Sequence, residues 1–301
     1  MPRKIAVLAG GESSERKISL FSGKFVLEQV SRFYPADFFD FPQDRAKFIK
    51  NKNQYVLAIP VFHGRGGEDG QIQGFLTTLK IPFTFSDIEG HAIGMNKVFT
   101  NIIAESYGVK TPKHRIIFDK EKPKFKQKCV AKPIDDGSSI NVFIVNSQKK
   151  LDQGLNKIFQ QNDKAIIEEF ISGKEYTVGV IEEEEKQTAL PVIYIKPRNK
   201  FFDYESKYTT GMAEEICPAL IDKKLSNNLQ KIALLMHRVL GLKHFSRSDF
   251  IVDRNEQIWF LEINTIPGLT KNSLIPKAIK TSGRDFGLLL KDWIESTLNE
   301  R

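Results

Sequence analysis

Apolar residues recur along the chain with two different periods. Lys4 to Ala9 ends in an unbroken apolar run, Ile5 to Ala9, bounded by Gly10-Gly11. That is the pattern of a strand buried on both faces. A helical pattern follows, with Ile18, Phe21, Phe25 and Val30 among its apolar positions. Tyr55 to Phe62 reads as a second strand and runs into His63-Gly64-Arg65-Gly66-Gly67; Gln71 to Leu79 then reads as a helix. This repetition predicts a small open α/β domain over residues 1–95, with ligand loops at the carboxyl ends of its strands.

The texture changes near Asn96, which can cap a helix running to about Tyr107, where Gly108 stops it. Short strands are expected at Lys113–Phe118, Lys128–Pro133, Asn141–Val145 and Lys164–Phe170, with a helix from Ser147 through Phe159. They predict a small α+β domain over residues 96–173. Longer strands follow at Glu175–Ile181, Thr188–Ile195, Phe245–Val252 and Gln257–Asn264. Helices from about Leu225 to Leu240 and Asp285 to Leu298 complete a third domain, residues 174–301. Asn199 to Met212 is long, aromatic and aperiodic, and a loop of that length inside a compact domain is often functional. Glu182–Glu185 suits an exposed turn.

Composition narrows the function classes. The 301 residues are 41% hydrophobic and 27% charged, which excludes a disordered or fibrous chain. No stretch nears the roughly 18 apolar residues of a membrane span, and the first apolar run is too short for a signal-peptide core. A cytoplasmic protein with no membrane partner is expected. Cys129 and Cys217 are far apart and read as small buried apolar residues, not a disulfide framework. The net charge of +8 is concentrated between Lys110 and Lys128. That run reads as a solvated strand-loop-strand face that aids solubility and anion capture, and no nucleic-acid partner is expected.

The densest chemistry lies in His244 to Asn264. Taken as a hairpin with the two-residue turn Asn255-Glu256, it sets Asp249 opposite Glu262 and Arg247 opposite Asn264. All four then project from one face. Two opposed carboxylates repel unless a cation lies between them. With an amide oxygen added they suit Mg²⁺, whose shell substrate phosphates and water complete. Arg247 beside them can meet developing negative charge. A surface hairpin of scattered polar residues is the competing reading, and a one-residue slip would break the argument.

Three loops add candidates. Lys132-Pro133 followed by Gly137-Ser138-Ser139 offers a cation and several donors to a phosphate chain, or is a common turn. Glu15, after Gly10-Gly11, can serve a helix dipole or hold a substrate ammonium group. His63 ends a strand beside glycines and is either a ligand contact or structural. Neither a dinucleotide fingerprint, a P-loop, a Ser/His/Asp triad nor a zinc pattern occurs.

Six stretches in order resemble the D-alanine–D-alanine ligases of the ATP-grasp superfamily, essentially end to end. They are Gly10-Gly-Glu-Ser-Ser-Glu-Arg16, His63-Gly-Arg-Gly-Gly-Glu-Asp-Gly70, Lys132-Pro with Gly137-Ser-Ser139, Tyr204-Glu-Ser-Lys-Tyr208, Ser246-Arg-Ser-Asp249, and Leu261-Glu-Ile-Asn-Thr-Ile-Pro-Gly-Leu-Thr270. The resemblance implies a three-domain architecture of mixed α/β and α+β type, with ATP between the second and third domains. It assigns Lys97, Lys132, Glu168, Phe170 and Glu175 to ATP. It assigns Asp249, Glu262 and Asn264 to two Mg²⁺ or Mn²⁺ ions. Glu15, Ser138, Tyr208, Arg247 and Ser273 take catalytic roles, and His63, Lys207, Gly268 and Leu274 contact D-alanine. Residues 199–212 become an active-site lid, and Glu15, Ser138 and Tyr208 come from three domains to meet when it closes. The implied protein is a homodimer. It joins two D-alanines through an acyl phosphate, for peptidoglycan precursors. Asn96, Ser246 and Asn141 depart from the family's common Asp, Gly and Gly, and none of these changes removes a charged catalytic group. Another carboxylate–amine ligase, or a non-catalytic nucleotide- or nucleic-acid-binding protein, remains open on the residues alone.

Overall fold

A computed structural model describes residues 4–135, 141–197 and 213–300. The expected lid at 199–212, with Lys207 and Tyr208, and the loop residue Ser138 lie outside the described residues.

The chain builds three sheets in succession. The first contains β1 (Lys4–Gly10), β2 (Ala36–Phe41) and β3 (Tyr55–Val61), parallel and in the order β2-β1-β3. Between them run α1 (Arg16–Val30) and α2 (Arg45–Asn51), and α3 (Gln71–Thr78) and α4 (Ile88–Met95) follow. Ile5 and Val7 enter one core and Ala6 and Leu8 another, so β1 is buried on both faces as its apolar run implied. Gly10, at φ +109°, ends β1 where a Cβ would lie 2.4 Å from the Phe41 carbonyl oxygen. A side chain has no room there, and the chain can turn sharply into the next loop.

The face of α1 differs from a simple apolar stripe. Its buried side is Ser19, Ser22, Gly23, Val26 and Val30, whereas Phe21 is 52% exposed. The helix lies so close to β1 that a Cβ on Gly23 would meet the Ala9 Cβ at 2.5 Å. Small residues therefore face the sheet, and the larger Ile18 and Phe21 are displaced outward.

The second sheet follows α5 (Lys97–Ser106) and is antiparallel throughout. It orders β4 (His114–Phe118), β7 (Lys164–Glu169), β5 (Cys129–Pro133) and β6 (Phe143–Val145), with α6 (Gln148–Ile158) packed against it. The Asn96 side chain accepts from the Val98 and Phe99 amides and Ser147 from that of Lys150, so both predicted caps form. Cys129 is buried, whereas Cys217 is only half-buried.

The third sheet carries β8 (Gly173–Glu183), β9 (Lys186–Ala189), β10 (Ile193–Pro197), β11 (Ala213–Ile216), β12 (Phe245–Asp253) and β13 (Ile258–Asn264). Its order is β11-β10-β8-β12-β13, with β9 also on β8. The single strand expected at Thr188–Ile195 is split at Leu190-Pro191-Val192, because Pro191 lacks the N–H a ladder needs. Glu184 and Glu185 form the tight turn between β8 and β9, both at positive φ. Helices α7 (Lys223–Val239), α8 (Leu274–Thr281) and α9 (Phe286–Asn299) complete the chain. One core joins Ile5, Val7 and Val26 to Ile181, Phe245, Leu290 and Trp293, so the first and third sheets share buried surface. Among the described residues, no helix is long and apolar enough to cross a membrane.

Candidate active site

Loops from the first unit and strands of the third sheet enclose a cavity of about 360 Å³. Its walls include Glu15, His63, Glu175, Arg247, Asp249, Glu262, Asn264, Gly268, Ser273 and Leu274, ten of the expected site residues. The central hairpin has the predicted pairs, Asp249 opposite Glu262 and Arg247 opposite Asn264. The route to them differs from the one expected. The turn spans Arg254–Glu256, with Glu256 at φ +61°, and the Asp253 amide donates to the Gln257 carbonyl at 3.1 Å. Beyond it, Phe250 pairs Phe260 while Asp249 pairs Glu262, so Leu261 is an extra residue in β13. One residue more in the turn and a one-residue bulge cancel, and the register at the site is restored.

Asp249 is the hub of this wall. Arg247 donates to it twice, Nε to Oδ1 at 3.0 Å and Nη2 to Oδ2 at 2.9 Å. Thr177, paired with Asp249 across β8 and β12, donates its hydroxyl to Oδ1 at 2.5 Å, and Asn264 donates to Oδ2 at 3.3 Å. Glu262 faces the Lys97 ammonium at 3.4 Å. Among the described residues, no group of three or more His, Cys, Asp or Glu could hold a metal alone. Two carboxylates and an amide, all hard oxygen donors, nevertheless fit Mg²⁺ or Mn²⁺, which take few protein ligands and leave the rest to phosphates and water. In this arrangement Arg247 and Lys97 already neutralise both carboxylates.

Of the nucleotide candidates, Lys132 and Glu168 lie on the second sheet, Phe170 directly follows β7, Lys97 opens α5, and Glu175 lies on β8 of the third sheet. Lys132 and Glu168, on adjacent strands, form a buried ion pair at 2.8 Å. Glu168 Oε1 is buried with no hydrogen-bond partner among the described residues, an acceptor suited to a ligand donor. The Phe170 ring carries the Lys128 ammonium at 3.5 Å from its centroid. Lys97, Lys132, Glu168 and Phe170 do not line the cavity between β12, β13 and the first-unit loops, whereas Glu175 does.

Two loops close the opposite wall. Gly64, at φ +71°, brings its backbone so near Glu15 that a Cβ would stand 2.8 Å from Oε2. His63 is buried and its pKa falls to about 4, mainly by desolvation, with Arg247 lowering it further against the Ile266 carbonyl. Glu68 is also buried, and desolvation lifts its pKa to about 7 despite amide donors from Gly64 and Ile266. On the far side of the cavity, the Ser273 hydroxyl sits 2.8 Å from that of Thr270, and a Cβ on Gly268 would approach it to 3.0 Å.

Glu68 and Thr177 were not singled out by sequence. Glu68 lies inside the glycine loop that was, and its charge among glycines was the available signal. Thr177 is tied to Asp249 only through a strand pairing 72 residues apart, which local spacing does not reveal.

The family model described as "D-ala D-ala ligase C-terminus" matches residues 91–295. A D-alanine–D-alanine ligase of Aquifex aeolicus is 39% identical over 95% of this chain and 98% of its own length. One from Wolbachia pipientis subsp. Culex pipiens is 40% identical over 100% of this chain and 96% of its own. Among solved structures, the Bacillus anthracis D-alanine–D-alanine ligase complexed with ATP superposes with a TM-score of 0.84 at 27% identity, covering 99% of this chain and 98% of that one. The VanG D-Ala:D-Ser ligase of Enterococcus faecalis gives 0.82 at 25% identity, over 99% of this chain and 100% of that one.

Proposed function

The chain belongs to the D-alanine–D-alanine ligase family, and from that premise we propose that it joins two D-alanines at the cost of ATP, supplying the dipeptide for peptidoglycan precursors. One observation carries the reading: the basic and acidic side chains of β12 and β13 face Glu15, Gly268 and Ser273 across one cavity. A site of that kind can hold a phosphorylated carboxylate and a second amino acid together.

The carboxylate of the first D-alanine takes the γ-phosphoryl group of ATP, releasing ADP and forming an acyl phosphate. The second D-alanine's amine attacks that carbonyl and phosphate leaves. Asp249, Glu262 and Asn264 would hold Mg²⁺ or Mn²⁺, two ions in this proposal, which neutralise charge along the phosphate chain when bound. Arg247, with the Gly268 N–H, stabilises the oxyanion of the tetrahedral intermediate. Lys97, Lys132, Glu168, Phe170 and Glu175 form the nucleotide end. Glu15 receives a substrate ammonium group, while Ser273 and Leu274 border the second amino acid.

Water would destroy the acyl phosphate, so a closing element is a chemical requirement. Residues 199–212 take that role in this proposal, with Lys207 and Tyr208 meeting Glu15 and Ser138 on closure. Domain limits near residues 95 and 173, a homodimer and a cytoplasmic location belong to the same proposal; use of ATP favours the last. The test is ADP and dipeptide release, measured together over D-alanine, other D-amino acids and D-lactate. D-alanyl-D-alanine made with one ADP per dipeptide is the expected result. ADP release only with a different acceptor moves the protein to another ligase specificity, and none with any acceptor overturns the reading.

A further inference from the structure

The segment Ile266–Leu269 lines the cavity but is anchored from outside its own sheet. The Ile266 N–H donates to Glu68 Oε1 at 3.1 Å. The Ile266 carbonyl lies 2.9 Å from Nδ1 of His63. The Leu269 N–H donates to the Ser22 hydroxyl oxygen at 3.2 Å. Ser22 belongs to α1, and His63 and Glu68 to the loop after β3, so all three anchors come from the first unit.

The anchors are themselves linked. A ring nitrogen facing a carbonyl must carry the proton, so Nδ1 of His63 donates and Nε2 accepts. The Ser22 hydroxyl, 3.0 Å from Nε2, supplies that proton, which leaves its oxygen free to accept from Leu269. The second oxygen of Glu68 takes the Gly64 N–H at 2.9 Å, tying it to its own loop. Both nitrogens of His63 are therefore engaged with protein, and neither remains for a substrate carboxylate.

We propose that Ser22, His63 and Glu68 form a positioning clamp that fixes residues 266–269, and with them the Gly268 peptide, for attack by the second D-alanine. The clamp rests on the ligation reading above, and it recasts His63 as a positioning residue rather than a substrate contact. Ser22 is decisive for testing it. Ser22 is fully buried and does not line the cavity, so it can influence the reaction only through what it holds, the 266–269 segment and the His63 ring that holds the same segment. Glu68 does line the cavity, and Glu68→Gln leaves only one oxygen for two N–H groups.

Steady-state kinetics on the wild type, Ser22→Ala and Glu68→Gln separate the alternatives, with ADP, phosphate and dipeptide measured together. Ser22→Ala should lower kcat roughly two- to tenfold, the equivalent of one neutral hydrogen bond. Glu68→Gln, losing a bond to a charged group, should lower it about ten- to a hundredfold. KM for ATP and D-alanine should stay near wild type in both. ADP should exceed dipeptide, because a displaced 266–269 segment slows amine attack and leaves the acyl phosphate to water. Ser22→Cys, close in size with a weaker donor, should fall between Ser22→Ala and wild type and serves as the readout should the alanine variant not fold. Wild-type kcat and coupling in the Ser22 variants would overturn the clamp while leaving the ligation reading intact. A Glu68→Gln defect confined to KM for D-alanine would also overturn it, making Glu68 a substrate contact. A wild type that forms no dipeptide overturns both.

Discussion

Arg247 and Asp249, two residues apart on β12, are joined by two parallel hydrogen bonds, at 3.0 and 2.9 Å. The pairing fixes the plane of the guanidinium and leaves its remaining donors directed by a rigid partner. It also means that a metal at Asp249 must share the carboxylate with an arginine. The two are adjacent parts of one electrostatic unit, and altering either changes the charge balance of the other.

Arg247→Lys keeps the charge and loses the fork of donors. Loss of an oxyanion donor typically costs about 10²–10³-fold in kcat. We expect a fall of that order with KM for ATP changed little, measured by ADP release under saturating D-alanine. A defect residing wholly in KM for ATP would assign Arg247 to the nucleotide.

Glu262→Gln removes one of two opposed carboxylates and the partner of Lys97. The magnesium activation curve should shift to higher concentration, with turnover partly recovered there and the far-ultraviolet circular dichroism unchanged. A curve superimposable on the wild type would show that Asp249 and Glu262 do not hold the ion together.

Three buried histidines predict how stability responds to acid. Desolvation lowers the pKa of His63 to about 4, of His91 to about 3 and of His244 to about 4, each from an ordinary 6.5. The unfolded chain therefore takes up these protons first, and each ring withdraws stability as pH falls from about 6.5 toward 4. Glu68 acts in the opposite sense. Its folded pKa of about 7 stands above the ordinary 4.5, so the folded form gains a proton across that interval. Three sites outweigh one, and the melting temperature should be lower at about pH 5 than at about pH 7.5. A flat profile between those values would mean that the rings do not stay neutral in the folded chain.

Gly23→Ala tests the close approach of α1 to β1. Overpacking of a dense core costs about 1–3 kcal/mol, and the new methyl would meet the Ala9 Cβ at 2.5 Å and Phe38 Cε2 at 2.9 Å. The urea midpoint should fall with an unchanged slope. A midpoint equal to wild type would mean that helix and strand move apart freely.

The strands and the capped helices were legible because each is decided by neighbours in sequence: an apolar run, Asn96 or Ser147 at a cap, Gly108 at a stop. The acidic wall of the site was legible because it is built on one hairpin. Even there, the turn is one residue longer than a two-residue hairpin turn at Asn255-Glu256. Glu256 takes a positive φ that sequence would lead one to expect of Gly or Asn, and the bulge at Leu261 leaves no local signal. β2, α2, α4, α8 and the four-residue β11 carry no such signal; their short segments offer too few turns or alternations to stand out. The roles of Thr177, Ser22 and Glu68 depend on contacts across 72, 247 and 198 residues, which exist only once the sheets have assembled.

The core that joins Ile5 and Val7 to Leu290 and Trp293 has a bearing on how this protein is made. The Phe25 ring stacks on Phe286 at 5.7 Å, and the Tyr34 hydroxyl donates to Glu295 at 3.0 Å, so α1 finishes its packing against the last helix of the chain. On a ribosome, β1 and α1 emerge long before α9 does. One face of their sheet has to wait, uncovered, through most of synthesis. β1 and α1 are thus made well before the helix that seals them, and they are most open to misassociation in that interval.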